Sequence, residues 1–202
     1  MERKAFIIRM AGGAEALKRF AGDAATCARE NQVDNFSVWS VDDLLLCYGE
    51  EAEGGDAASL CGMLMSGLGA GAELLCAPGS MRLMYHDIGI VREDKSLIRH
   101  RVFATRLKPG CEAEYKRRHD ALIEARGDAV SEGPDSNFTI WYGAGHIFGY
   151  CEKVRAFDHE PTEAEKAADI AWETRQLEIM DWLTDDVDWI TGQKHPHIQR
   201  VV

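Results

Sequence analysis

Short apolar stretches alternate with longer mixed ones along the chain, and the same alternation runs through it twice. In the C-terminal half, 98–107 has the apolar spacing of a strand, and Pro109-Gly110 then opens a helix predicted to run to about 130, with proline at a first-turn position. Residues 136–143 and 146–152 are predicted strands joined by Gly143-Ala144-Gly145, a hairpin signal. After Pro161, Thr162-Glu163-Ala164-Glu165 is a capping box that starts a long helix expected to continue through Trp182. The tail HPHIQRVV reads as a closing strand. The N-terminal half gives a strand at 3–10, a helix at 13–31, strands at 35–41 and 43–50, a glycine-interrupted helix at 56–69 and a strand at 81–91.

The two halves also align residue by residue. NFSVWSVDDLLLCYGE at 35–50 lies without gaps on NFTIWYGAGHIFGYCE at 137–152, and RKAFIIRM at 3–10 lies on HRVFATRL at 100–107. A period of about half the chain indicates two copies of one supersecondary unit. The polar stretch REDKSL at 92–97 serves as linker between predicted domains 1–91 and 98–202. Strand-helix-strand-strand-helix-strand is the ferredoxin-like order. A sheet with helices on one face leaves its other face bare, and two such sheets can bury those faces on each other. The expected fold is α+β: tandem ferredoxin-like repeats packed sheet to sheet as an intrachain dimeric α/β barrel. Such a chain would be a monomer or a weak homodimer.

Composition narrows the function classes. Of 202 residues, 46% are hydrophobic and 28% charged, the balance of an ordinary globular protein. The net charge of −11 disfavours a nucleic-acid partner. No stretch approaches a membrane span, and the opening MERKAFIIRMAGG is too short for a signal peptide. The six scattered cysteines contain no CxxC pair and fit a reduced, cytoplasmic setting.

The chemistry concentrates on the first helix of the C-terminal copy, at Tyr115-Lys116-Arg117-Arg118-His119. Tyr115 and His119 are four apart, so a phenol and an imidazole share the stripe directed at the sheet, extended by Cys111 and Leu122. On spacing alone this pair reads equally as a core tyrosine with a satisfied histidine. With one residue of gap allowed, Leu17 and Ala21 of the N-terminal copy stand where the tyrosine and histidine would be, and neither can transfer a proton. One working half and one structural half are expected.

The combination of Arg-x-Phe near a strand start, Glu-Tyr-x-Arg-Arg-His on the next helix and Asn-aromatic-x-Ile-aromatic on a strand resembles the L-rhamnose mutarotase family. The resemblance is clearest over residues 100–152. It implies interconversion of the α and β anomers of L-rhamnose or a related 6-deoxy sugar by general acid–base ring opening, without a cofactor. It further implies His119 as the catalytic proton donor and Tyr115 as a sugar contact. A family tyrosine on the next strand falls on Phe138, so its hydroxyl is missing here. Trp182, preceded by Asp181, is the nearest counterpart of the family's tryptophan pair on the last helix. The group acting opposite His119 is left open between water, a carboxylate and Tyr115. Histidine suits such a reaction because its ordinary pKa, ~6.5, lets it take and return a proton near neutrality.

Other motifs carry less. His195-Pro196-His197 puts two imidazoles on one side of a predicted strand, but no third ligand appears at metal-binding spacing. Asp185-Asp186-Val187-Asp188 reads as a solvated helix end, and Gly67-Leu68-Gly69-Ala70-Gly71 as a loose loop without the strand or Lys-Ser/Thr of a phosphate loop. His146 follows the hairpin without a specified role. The competing functions are a non-catalytic sugar or small-ligand binder, and a cofactor-free oxygenase supported by fold analogy alone.

Overall fold

A computed structural model describes residues 1–130, 132–156, 162–183 and 198–202. The described residues fall into two compact units, one formed by 1–82 with 198–202 and the other by 83–183. Each contains one antiparallel five-stranded sheet. Among the described residues no helix is long and apolar enough to cross a membrane.

In the first unit β1 (Glu2–Arg9), α1 (Gly13–Lys18), α2 (Ala21–Glu30), β2 (Val33–Val41), β3 (Leu44–Glu51), α3 (Ala57–Leu68) and β4 (Glu73–Cys76) follow in order. The second begins with β5 (Arg82–Asp87) and continues through β6 (Ile98–Leu107), α4 (Glu112–Arg126), β7 (Asp135–Gly143), β8 (His146–Val154), α5 (Glu163–Gln176) and β9 (Met180–Trp182). The final strand, β10 (Gln199–Arg200), belongs to the first sheet. The sheets run β10-β2-β3-β1-β4 and β5-β7-β8-β6-β9, the same order twice. Without their first members, both read in the ferredoxin-like order, second-third-first-fourth.

The fourth strands are therefore not the ones expected. That place is taken by β4 and β9, three or four residues each, paired antiparallel to β1 and β6. The strand predicted at 81–91 is the shorter β5, and it adds to the edge of the sheet built by the C-terminal half. The tail strand adds to the sheet built by the N-terminal half, through Gln199 opposite Ser40 and Arg200 opposite Trp39. Period-2 patterning identifies a strand but not its neighbour, which explains the difference. The helix expected to reach Trp182 stops at Gln176, so Asp181 and Trp182 stand on β9. Its capping box is present: Thr162 Oγ1 accepts from the Glu165 amide at 3.2 Å, and Glu165 Oε2 accepts from the Thr162 amide at 2.7 Å.

The helix expected at 13–31 is broken between Lys18 and Ala21. Phe20 turns inward at the break, and its ring occupies the space where a side chain on Gly67 would begin, within 2.8 Å of that position. Gly67 and Leu68 belong to the last turn of α3 rather than to a loop. Leu17, at 1% exposure, joins Phe6, Ile8, Leu45, Leu60 and Leu64 in the core of the first unit. The core of the second centres on Met84, Leu107, Tyr115, Ile140, Ile147 and Met180.

Both sheets carry one identical polar device. Asn137 has a positive φ of 52° at a bulge in the β7–β8 register, and its Nδ2 donates to Glu152 Oε1 at 3.1 Å. Tyr150 donates to the same oxygen at 3.1 Å, and Lys95 Nζ contacts both carboxylate oxygens at 2.8 and 2.9 Å. In the first sheet Asn35 (φ 49°) and Tyr48 donate to Glu50 Oε1 at 2.9 and 3.0 Å. Trp39 and Trp141 each donate to the hydroxyl two residues back, Ser37 and Thr139, at 3.1 Å. The aligned residues of the sequence therefore build the same bulge twice, and a bulge re-aims the side chain that follows it, here Phe138.

Replacing Asn137 by alanine removes a bond to a buried carboxylate and leaves a β-carbon in the left-handed region, which together should cost about 2–4 kcal/mol. Urea unfolding of Asn137→Ala and Asn35→Ala should show similar losses; a variant as stable as wild type would remove the bulge from this role.

Candidate active site

Helix α4 is held in shape by its own charges. Glu114 accepts from Arg117 at 2.7 and 2.8 Å and from Arg118 at 2.7 Å, while Lys116 pairs with Asp120. The hydrogen bonds from Arg117 and Arg118 pull the Glu114 carboxyl down to about 2. Its buried stripe is Tyr115, Arg118 and His119, at helical spacing. Arg118 is only 7% exposed and reaches across to the end of α5, donating to the Arg175 carbonyl and pairing with Glu178 at 2.8 Å. Lys108 Nζ donates to the carbonyls of Leu177 and Glu178 at 2.7 and 3.2 Å, where helix carbonyls lack partners within the helix. Two cations thus fasten the C-terminal end of α5 to α4 and the turn before it.

Between these helices and the sheet of the second unit lies a cavity of about 270 Å³. Helix α4 lines it with Tyr115, His119 and Leu122, and α5 with Asp169, Trp172, Glu173 and Gln176, one face at spacings of three and four. The sheet contributes Arg101, Phe103 and Thr105 from β6, Phe138 and Ile140 from β7, and Cys151 from β8. Met180 and Trp182 come from β9 and Tyr85 from β5. Phe103 can lie flat here because Gly149 faces it: a β-carbon on Gly149 would fall 2.0 Å from the ring.

His119 stands 4% exposed in this wall. Its ring stacks on Tyr115 with centroids 4.2 Å apart and meets the edges of Tyr85 and Trp172 at 5.5 and 5.4 Å. Nδ1 lies 2.9 Å from the Tyr115 carbonyl oxygen. A carbonyl only accepts, so Nδ1 carries the proton and the neutral ring keeps its lone pair on Nε2. Burial lowers the His119 pKa below 6.5, countered in part by that hydrogen bond. The imidazole is therefore neutral at pH 7, a base at one defined atom. Burial drives the Tyr115 phenol well above its ordinary value, so Tyr115 remains a neutral hydroxyl.

Of the residues singled out from sequence, His119, Tyr115, Phe138 and Trp182 meet at this cavity, whereas Asp181 is exposed and lies outside its lining. His195, His197 and the 185–188 acidic run lie outside the described residues. His146 is buried, though it does not line the cavity. Trp172, Tyr85, Gln176 and Thr105 were not singled out. The 169/172/173/176 spacing on α5 was a readable signal; Tyr85 had none, because it arrives on the added edge strand. Its ring meets Phe138 edge-on at 5.4 Å, beside the position whose hydroxyl is missing. Among the described residues no cluster of three or more His, Cys, Asp or Glu is spaced to hold a metal ion.

The model of the L-rhamnose mutarotase family matches residues 100–200, half of the chain. The chain belongs to the L-rhamnose mutarotase family. The matched half is that of an isomerase-type carbohydrate enzyme, and it contains Tyr115, His119 and every lining residue of the cavity except Tyr85. Neither a curated protein nor a solved structure matches the chain.

A histidine whose pKa is lower folded than unfolded binds its proton preferentially in the unfolded chain. The stability it confers is complete above about pH 6.5, where the free imidazole is neutral, and is lost as pH falls from there towards the folded value. Urea midpoints measured from pH 8 to pH 5 should therefore fall more steeply for wild type than for His119→Gln. Parallel curves would contradict the buried neutral imidazole.

Proposed function

We propose that the chain interconverts the α and β anomers of L-rhamnose or a related 6-deoxy sugar, with His119 as the proton-transferring residue. The observation that carries this reading is a buried imidazole, held through Nδ1, in the wall of an aromatic cavity in the family-matched half. In the ring opening, Nε2 takes the proton of the anomeric hydroxyl, the bond from C1 to the ring oxygen breaks as C1=O forms, and the ring oxygen takes its proton from the carboxylic acid acting opposite His119, which the reverse steps give back. Rotation about C1–C2 and the reverse steps give the other anomer. Glu173, on the inner part of the α5 face, is our choice for the group acting opposite His119; Asp169 on the same face is exposed. Tyr115 serves as a hydroxyl donor rather than a base.

The remaining wall suits a small deoxy sugar. A cavity of about 270 Å³ sits near the lower bound of small-molecule sites, ~300 Å³, and favours a single pyranose over a glycan. The rings of Phe103, Phe138 and Trp172 offer apolar surface to the C–H face and methyl group. In the N-terminal half, Leu17 is committed to the core and Ala21 carries no proton, so the reading gives one sugar per chain.

Anomer exchange of L-rhamnose followed by NMR saturation transfer should fall by roughly 10²–10⁴-fold in His119→Ala, with the fold retained. Isothermal titration should give one site per chain. A folded variant with wild-type exchange would remove His119 from its role, and binding by wild type without any exchange would make the protein a sugar binder.

A further inference from the structure

Two polar side chains of the cavity wall make no side-chain hydrogen bond among the described residues. Gln176 is 2% exposed, and among the described residues neither its amide nitrogen nor its amide oxygen has a hydrogen-bond partner. Thr105 is 0% exposed, and its hydroxyl is likewise unpartnered. Both line the cavity, Gln176 from the last turn of α5 and Thr105 from β6. Buried polar groups are nearly always paired, because each unpaired one forfeits its hydration. A packing role does not explain the residue types, since methionine and valine would fill the same volumes without that cost.

The mechanism leaves them unused as well. Proton transfer needs His119 and a second titrating group, whereas an amide and an aliphatic hydroxyl do not titrate near neutrality. What they can do is recognise. A carboxamide offers a donor and an acceptor side by side, and two neighbouring ring hydroxyls offer the complement. The threonine hydroxyl adds a donor and an acceptor on the sheet side.

We infer that Gln176 and Thr105 form the hydroxyl-recognising wall of the pocket and select a pyranose with an intact pair of neighbouring ring hydroxyls. The inference rests on the sugar-binding part of the proposed function. The apolar rings of Phe103 and Phe138 then take the opposite, deoxygenated part of the sugar. Discrimination by such a wall is strong, because a ligand lacking the hydroxyl leaves the same groups unpaired in the complex.

The test uses Gln176→Met and Thr105→Val in the full chain, with Tm, saturation-transfer kinetics on L-rhamnose, and calorimetric binding of 1,5-anhydro-L-rhamnitol, which cannot open. Each variant should raise KM about tenfold with kcat nearly unchanged, the signature of lost uniform binding, and weaken anhydro-sugar binding equally. Tm should stay level or rise, since an unpaired buried group has been removed. Wild-type KM and affinity in both variants would overturn the inference while leaving the mutarotase reading intact. Anhydro-sugar binding by wild type that the variants lose, with no exchange on any aldose, would overturn the mutarotase reading and uphold this one. No binding and no exchange by wild type would overturn both.

Discussion

The hydrogen bond from His119 Nδ1 to the Tyr115 carbonyl is the constraint on which the site depends. It decides the tautomer and places the lone pair on Nε2. Burial among Tyr115, Tyr85 and Trp172 supplies the second condition, favouring the neutral ring at neutral pH. Both conditions need the α4 stripe held against the sheet, and the fastening is electrostatic: Arg118 and Lys108 seize the frayed end of α5 and so fix the width of the cavity. Arg118 is nearly buried but its partner Glu178 is exposed, and Lys108 reaches only carbonyls, so these contacts do more to set geometry than to add stability.

The fold grows from two uses of one local design. The Asn-aromatic-Ser/Thr-x-Trp segment and the Tyr-x-Glu that faces it make the same bulge in both sheets, and in the second that bulge precedes Phe138 in the cavity wall. The halves diverge where the first helix meets its sheet. In the first unit the helix breaks at Phe20, whose ring fills the notch over Gly67, and Leu17 seals the core. In the second the helix is continuous, its stripe is polar and aromatic, and a cavity lies beneath it. At the aligned positions the first unit thus puts Leu17 into its core, and the second puts Tyr115 and His119 into a cavity wall.

Much of this was legible in the sequence. The segment alignment anticipated a geometric likeness that extends to donor–acceptor pairs, and the four-residue spacing of Tyr115 and His119 fixed their common face. The strand neighbours were not legible. β5 and β10 look like closing strands of their own halves, but sheet order follows from three-dimensional pairing that periodicity does not encode. For the same reason the sequence does not mark Tyr85, which stands outside the family-matched range and yet contacts His119. The α5 pattern carries no stop signal at Gln176, so the sequence extends the helix through Asp181 and Trp182; on a strand their side chains part, one to solvent and one to the cavity.

The central claim is that one imidazole, protonated at Nδ1 and basic at Nε2, sits neutral in the pocket. Long-range ¹H–¹⁵N correlation spectra of the histidine-labelled protein, titrated from pH 8 to pH 5 and assigned with His119→Gln, report both nitrogens directly. The account predicts a protonated Nδ1 and an unprotonated Nε2 at pH 7, with a midpoint below the ordinary 6.5. The opposite tautomer, or a midpoint above 6.5, would contradict it.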